Sequence, residues 1–299
     1  MSFCNACPRK CNIDRSQNIG FCGEGQAMRI SRIAPHFYEE PPISYKNGSG
    51  TVFFAGCNLH CVFCQNKDIS QGKHTERKGK EYSKGELIQA IVDLQESGVH
   101  NVNFVTPTHF ALQVASVIDE MKKQNLLKVP VVYNSSGYEN VETLKALDGL
   151  VDIYLPDLKY FSSELSAKYS SAPDYFEVAS KAIVEMLRQR GKYRYTDDKG
   201  ELLASGVIIR HLVLPTQRKD SVEVFTRIAT MLDPADVLVS IMSQYTPDFA
   251  LDTPYPELHR RITSFEYNYV CNAITDLGFD GFMQARASAS AKYTPKFNG

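Results

Sequence analysis

No tryptophan occurs in this 299-residue chain, and neither sign of charge is in excess, with 33 Lys and Arg against 34 Asp and Glu. No stretch reaches the roughly 18 consecutive apolar residues of a membrane-spanning helix. Without a basic excess there is no electrostatic footprint for a long nucleic-acid groove or an anionic membrane surface, so neither partner is expected. The start, Met1-Ser2-Phe3-Cys4, has no charged stretch followed by an apolar run, which leads us to expect a cytoplasmic protein rather than a secreted one. What remains is an ordinary globular composition, 43% hydrophobic and 22% charged, at a length that one large α/β domain fills without a second core.

Cysteine is nearly absent beyond residue 64. Seven of the eight fall within the first 64 residues in two tight groups, and clustered thiols in a cytosolic chain are read as metal ligands before disulfides. Cys271 stands alone beside Tyr269, Val270 and Ile274 and is expected to be a small buried hydrophobe. The second group organises the chain. Gly56-Cys57-Asn58-Leu59-His60-Cys61-Val62-Phe63-Cys64-Gln65-Asn66 sets three thiols at Cys-x3-Cys-x2-Cys spacing. A four-iron cubane takes one thiolate per iron, so three leave the fourth iron open to an outside ligand. A structural zinc would want a fourth protein ligand, and the nearby candidate, His60, is wedged between two of the cysteines. The spacing favours a cluster with a vacancy over a zinc knot or three inert buried cysteines.

The first group, Cys4, Cys7, Cys11 and Cys22, lies in a segment with few core-forming residues. Its x2, x3 and x10 gaps match neither a zinc ribbon nor the ferredoxin runs. A second metal centre is expected there, either Zn²⁺ or a fully ligated auxiliary iron-sulfur cluster.

The rest of the chain alternates strands with helices. Residues 28–49, with Glu39-Glu40-Pro41-Pro42, read as an extended, turn-rich approach that either lines the cluster site or connects along the surface. Strands are expected over 51–55, 101–105, 129–133, 151–155, 207–215 and 237–242. Helices are expected from a capping box at Ser83 and Glu86 to Gly98, and over 111–124, 141–147, 167–189 and 264–277. A basic, polar run at 72–80 is expected to be exposed, 193–205 to form a loop or hairpin, 278–284 to add a short strand, and 285–299 to be peripheral. The fold class that follows is α/β, an open partial (β/α)6 barrel with a small Cys-rich N-terminal extension. We divide it into residues 1–49 and 50–299, with chemistry at the carboxyl ends of the strands. Polar clusters fall at those ends: Thr106-Pro107-Thr108-His109, Asn134-Ser135-Ser136-Gly137 and Pro156-Asp157-Leu158-Lys159. Arg210, inside an apolar strand, needs a partner or a lined cavity, whereas His211 alternates to the opposite face.

With Phe63 as its aromatic position, Cys57-x3-Cys61-x-Phe63-Cys64 resembles the signature of the radical S-adenosylmethionine (SAM) enzymes. The Cys-Pro-Arg-x-Cys, Glu-Glu-Pro, Phe-Val-Thr-Pro-Thr-His, Tyr-Leu-Pro-Asp-Leu-Lys, Arg-His-Leu-Val-Leu-Pro and Met-Ser-Gln-Tyr-Thr-Pro stretches extend the likeness over nearly the full length. It is to the uncharacterised group labelled pyruvate formate-lyase activating enzyme-like. The resemblance implies a [4Fe-4S] cluster on Cys57, Cys61 and Cys64, with the open iron chelated by the amino and carboxylate groups of SAM. It further implies contacts to SAM from Phe63, Asn134, Ser136, Asp157, Lys159 and Arg210, with His109, Gln244 and Tyr245 toward the substrate. A reductant such as flavodoxin or ferredoxin is implied, and a substrate that is a glycyl radical protein, a peptide or a small molecule. In two respects the chain departs from the activating enzymes. Thr106-Pro107-Thr108-His109 replaces a Gly-Gly-Glu loop that holds the SAM amino group, and the extra cysteines precede the cluster motif instead of following it. The rival from another class is a non-catalytic iron-sulfur or zinc-binding scaffold, or a redox carrier.

Overall fold

The apolar runs that alternate with helical stretches assemble into one sheet. The protein is seen here as a computed structural model that describes residues 3–71, 78–196 and 198–283. The tail expected over 285–299, Gln284, Asp197 and most of the basic run at 72–80 lie outside the described residues. In chain order the elements are β1 (Met28–His36), α1 (Pro41–Ser44), β2 (Ser49–Phe54), α2 (Lys67–Ser70), β3 (Lys80–Tyr82), α3 (Lys84–Glu96), β4 (Val102–Val105), α4 (Ala111–Lys123), β5 (Val131–Ser135) and α5 (Val141–Lys145). They continue with β6 (Ile153–Pro156), α6 (Ser163–Ser170), α7 (Tyr175–Arg190), β7 (Arg194–Tyr195), β8 (Leu203–Leu212), α8 (Arg218–Ile228), β9 (Leu238–Met242), α9 (Ser264–Asp276) and β10 (Asp280–Met283).

The strand order is β10-β9-β8-β6-β5-β4-β2-β1-β3, with β7 paired to the start of β8. From β2 to β10 every neighbour on that path is parallel, and helices cross between successive strands, as strand-helix-strand units require. The sheet ends on β10 and β3 without closing, so the partial barrel is observed, with β10 added parallel to β9 beyond the six expected strands. Helix α3 starts at the predicted capping box, with Ser83 and Glu86 bonding each other's backbone amides.

Two local expectations change. The helix expected over 167–189 is two helices, α6 and α7, broken where Ser171 turns left-handed and Pro173 follows, because a proline ring and the residue before it disfavour continued helix. The turn-rich approach is also more structured than its composition suggested. Residues 28–36 form β1, antiparallel to β2, so the sheet begins inside the segment assigned to the extension. The short α1 then enters the barrel: Ile43 is fully buried against Val132, Ile153, Leu155, Ile208 and Leu238, and its carbonyl accepts from Asn101 Nδ2 at 2.7 Å. Proline at the first helical positions suits so short a plug, since those positions need no amide donor. Ile43 therefore fills one end of the barrel and carries Glu39 and Glu40 into its interior.

Candidate active site

The cluster loop leaves β2 at Gly56, whose φ of +82° and whose close approach to the Cys22 carbonyl, 2.6 Å from where a Cβ would stand, both require glycine. Leu59, fully buried, and Phe63 anchor the loop in the main core; the Phe63 ring meets Tyr169 and Tyr245 edge-on. Phe63 thus packs beneath the loop and does not line the cavity above it. The Ser170 hydroxyl donates to Cys61 Sγ at 3.0 Å and is itself met by Tyr160 Oη at 2.9 Å, while Ser70 Oγ stands 3.3 Å from Cys64 Sγ. Burial pushes the Cys61 thiol up to about 12 and raises Cys64, so without a cation these thiols keep their protons, and metal binding must displace them.

Cys57, Cys61 and Cys64 line one cavity of about 220 Å³ with Asn134, Ser136, Asp157, Lys159, Arg210 and Gln244, so most of the predicted site residues are gathered there from the carboxyl ends of β2, β5, β6, β8 and β9. A wider depression of about 420 Å³ lies against Phe3, Cys4, Arg15 and Gln113, but it gathers no comparable set of buried charges; chemistry, not size, selects the smaller one. Gly137, with φ of +75°, lets the turn after β5 press on the Asp157 carbonyl, 2.0 Å from where a Cβ would stand. That contact locks the polar turn to the Asp-x-Lys strand end.

The cavity wall is a lattice of buried charge. Asp157 Oδ2 accepts from Lys159 Nζ at 2.6 Å, and Asp157 Oδ1 lies 3.0 Å from Arg210 Nε. Arg210 also donates to Asn134 Oδ1 at 2.5 Å and lies 3.4 Å from Glu39 Oε2. Burial alone would raise the Asp157 carboxyl, but Arg210 and Lys159 overcome it and hold it low. Burial would likewise lower Lys159, and Asp157 reverses that. The pair is not the solvated surface arrangement that Asp-x-Lys alone allows, because both side chains are about five-sixths buried. Glu40 sits behind it with its carboxyl pushed to about 7, first by burial and then relieved in part by Arg210.

Two expected substrate residues are elsewhere. His109 Nε2 bonds the Ala55 carbonyl at 2.7 Å and Tyr245 Oη donates to the Leu258 carbonyl at 2.6 Å; both are buried and neither lines the cavity. Thr108 donates to Glu139, a fully buried carboxyl raised to about 7 by its burial. His211 faces away as expected, its Nδ1 2.6 Å from the Leu158 carbonyl. Sequence reasoning assigned no role to Glu39, Ser70 or Ser170. Only Glu39 carried a signal, an acidic pair just before two prolines.

The N-terminal thiols stand against the outside of the same loop. The Cys57 amide donates to the Cys22 carbonyl at 3.1 Å, Arg9 Nε donates to the Asn58 carbonyl at 2.7 Å, and Phe21 stacks on His60 at 4.7 Å. Cys11 and Cys22 Sγ both flank Gly20, at 3.5 and 3.6 Å from where its Cβ would stand. Burial pushes Cys7 to about 12 and Cys22 to about 11. All eight cysteines are free, and Cys271 is in the core as expected. Among the described residues no three Cys, His, Asp or Glu side chains are gathered to hold a single metal ion. A lone zinc at the N-terminal group would have to draw its sulfurs together, whereas a cubane spreads its thiolates over separate irons. The three loop thiols, on one cavity with hydroxyls on two of the sulfurs, suit that donor set.

A parallel partial barrel with a three-thiol loop at the carboxyl end of its first parallel strand defines a class. Residues 51–228 match the model of the radical SAM superfamily, and the chain belongs to that superfamily. It is 32% identical over 266 residues to the uncharacterized protein MJ0674 of Methanocaldococcus jannaschii, covering 87% of this chain and 70% of that one. A second uncharacterized protein of that organism, MJ0808, is 24% identical over 169 residues, covering 52% of this chain and 49% of that one. Among solved structures, a radical SAM methyltransferase from Sphaerobacter thermophilus aligns with a TM-score of 0.51 at 13% identity, over 78% of this chain and 65% of that one. At that identity the likeness shows the fold alone. The superfamily uses a [4Fe-4S] cluster, SAM and an external electron donor. No helix among the described residues is long and apolar enough to cross a membrane.

Proposed function

We propose that this protein cleaves SAM reductively at a [4Fe-4S] cluster held by Cys57, Cys61 and Cys64, and uses the resulting 5'-deoxyadenosyl radical to take a hydrogen atom from its substrate. The observation that carries the reading is that the three loop thiols share one cavity with the Asp157, Lys159 and Arg210 lattice. Cys57, Cys61 and Cys64 would hold the cluster, which when bound would supply the electron, drawn from a flavodoxin- or ferredoxin-type donor, for the reductive cleavage of SAM. The chain's own residues bind and orient. Lys159 and Arg210 offer cations to the SAM carboxylate. Asp157, Asn134 and Ser136 offer hydrogen-bond partners to its hydroxyls, Phe63 supports the loop from below, and Gln244 faces the substrate side.

The substrate is a glycyl radical protein, a peptide or a small molecule. The four N-terminal thiols form a second metal centre, zinc or an auxiliary cluster, supported by the burial of Cys7 and Cys22 and by the contact of Cys22 with the Cys57 amide. The test is anaerobic incubation of reconstituted, reduced protein with SAM, quantifying 5'-deoxyadenosine and methionine against a variant with Cys57, Cys61 and Cys64 all replaced by Ala. Equimolar products that depend on those cysteines are expected. A protein with a verified full cluster that neither binds nor cleaves SAM, with candidate substrates present, is instead a scaffold or redox carrier.

A further inference from the structure

The cavity has two carboxylates on its wall, Asp157 and Glu39, and they are engaged very differently. Asp157 is saturated, with Lys159 at 2.6 Å on one oxygen and Arg210 at 3.0 Å on the other. Glu39 meets Arg210 Nη1 at 3.4 Å and Asn134 Nδ2 at 3.3 and 3.4 Å, and beyond these it shares a hydrogen bond with the neighbouring Glu40 carboxyl, which brings no positive charge. Yet its side chain is only 8% exposed, and its burial outweighs the pull of Arg210 and raises its carboxyl. A buried carboxylate this weakly compensated favours a further positive or strongly donating group beside it.

The loop after β4, where a carboxylate would be sought by analogy, offers none. Thr108 is spent on Glu139 and His109 on the Ala55 carbonyl; Thr106 alone of that loop's polar side chains reaches the cavity. The amino group of SAM needs an acceptor, and the other carboxylate of the wall, Asp157, is already taken by Lys159 and Arg210.

We infer that Glu39, carried into the barrel by the segment before α1, receives the amino group of SAM. This rests on the proposed SAM reaction and deepens it, by assigning to the N-terminal segment a contact that the β4 loop does not make. It gives α1 a purpose in the site: the buried Ile43 plug, together with the Ser44 hydroxyl that accepts from the Glu39 amide at 3.0 Å, fixes where that carboxylate stands. Glu39 is here a binding residue, with no part in moving electrons.

The test is equilibrium dialysis of anaerobically reconstituted protein with SAM and with its desamino analogue, which keeps the sulfonium and carboxylate but lacks the amine. Wild type and Glu39→Gln are compared, with iron content and far-UV circular dichroism recorded for both and Glu39→Asp as the charge-retaining control. Glu39→Gln is expected to weaken SAM binding about tenfold or more and to leave analogue binding unchanged, with Glu39→Asp between. Equal weakening of both ligands, or of neither, in folded, iron-loaded protein overturns the assignment. Should Glu39→Gln fail to fold or load iron, the comparison is made with Glu39→Asp, for which SAM alone must weaken. Failure of wild type to bind SAM at all would instead strike the underlying reaction.

Discussion

The two cysteine groups differ less in their thiols than in what surrounds them. The loop thiols open on a cavity walled by Asp157, Lys159, Arg210 and Glu39, while the N-terminal thiols lie by Arg9, Phe21 and the back of the same loop, with Cys4 on a depression that gathers no comparable set of buried charges. Thiols give metal affinity in either setting. An open cavity with oriented charges is what turns a metal into a reagent, and on that difference rests the proposal of reaction at one group and support at the other.

The sharpest way to break that contrast is to remove one thiol from each group. Cys61→Ala is expected to abolish 5'-deoxyadenosine formation, whereas Cys7→Ala should lose the metal of one centre yet keep cleavage, as read by metal analysis beside product assay. Equal loss of cleavage in both variants would erase the division of labour. Next in size is the charge lattice. Asp157→Asn leaves Arg210 and Lys159 buried with less anion, so thermal unfolding should report a loss of about 3 kcal/mol or more, alongside weakened SAM binding.

Glu139, close enough to the N-terminal group to raise the Cys7 thiol, offers a test that needs no metal. Its carboxyl is raised to about 7 by burial, so between the unfolded value near 4.5 and 7 the folded state holds a proton that the unfolded state has lost. Stability contributed by that group is full below the unfolded value and falls as pH rises. Denaturant titrations should show Glu139→Gln gaining on wild type from pH 5 to pH 7.5, by up to about 3 kcal/mol. A pH-independent difference would mean the carboxyl is ionised in the fold. The smallest effect is expected at Ser170. Its hydroxyl donates to Cys61 Sγ, and losing a hydrogen bond to a ligand sulfur destabilises the more negative, reduced cluster. Ser170→Ala should therefore lower the cluster's midpoint potential while costing about 1 kcal/mol of stability.

The thiol motif, the Asp-x-Lys pair, Arg210 and the alternation of strands and helices were legible because each is set locally: three thiols on one loop, two side chains on one face, short continuous apolar runs that are buried on both faces. Glu39 was not. An acidic pair beside two prolines has the same composition whether it lies on the surface or in a barrel, and what buries it is the Ile43 plug meeting five residues from four distant strands. His109 and Tyr245 stand off the cavity for the complementary reason. Both follow strands at the correct end, but a backbone carbonyl, Ala55 for one and Leu258 for the other, takes the side chain away from the cavity. The break between α6 and α7 was written in Pro173, beneath an apolar pattern that ran across it.

The most direct measurement is electron paramagnetic resonance of the reduced, reconstituted protein with and without SAM, in wild type, Cys61→Ala and Cys7→Ala. The account predicts a cluster signal that SAM perturbs in wild type and in Cys7→Ala and that is absent from Cys61→Ala. A SAM-sensitive signal that survives Cys61→Ala, or that vanishes with Cys7→Ala while the loop cluster stays loaded, would contradict the assignment of the reaction to the three-thiol cavity.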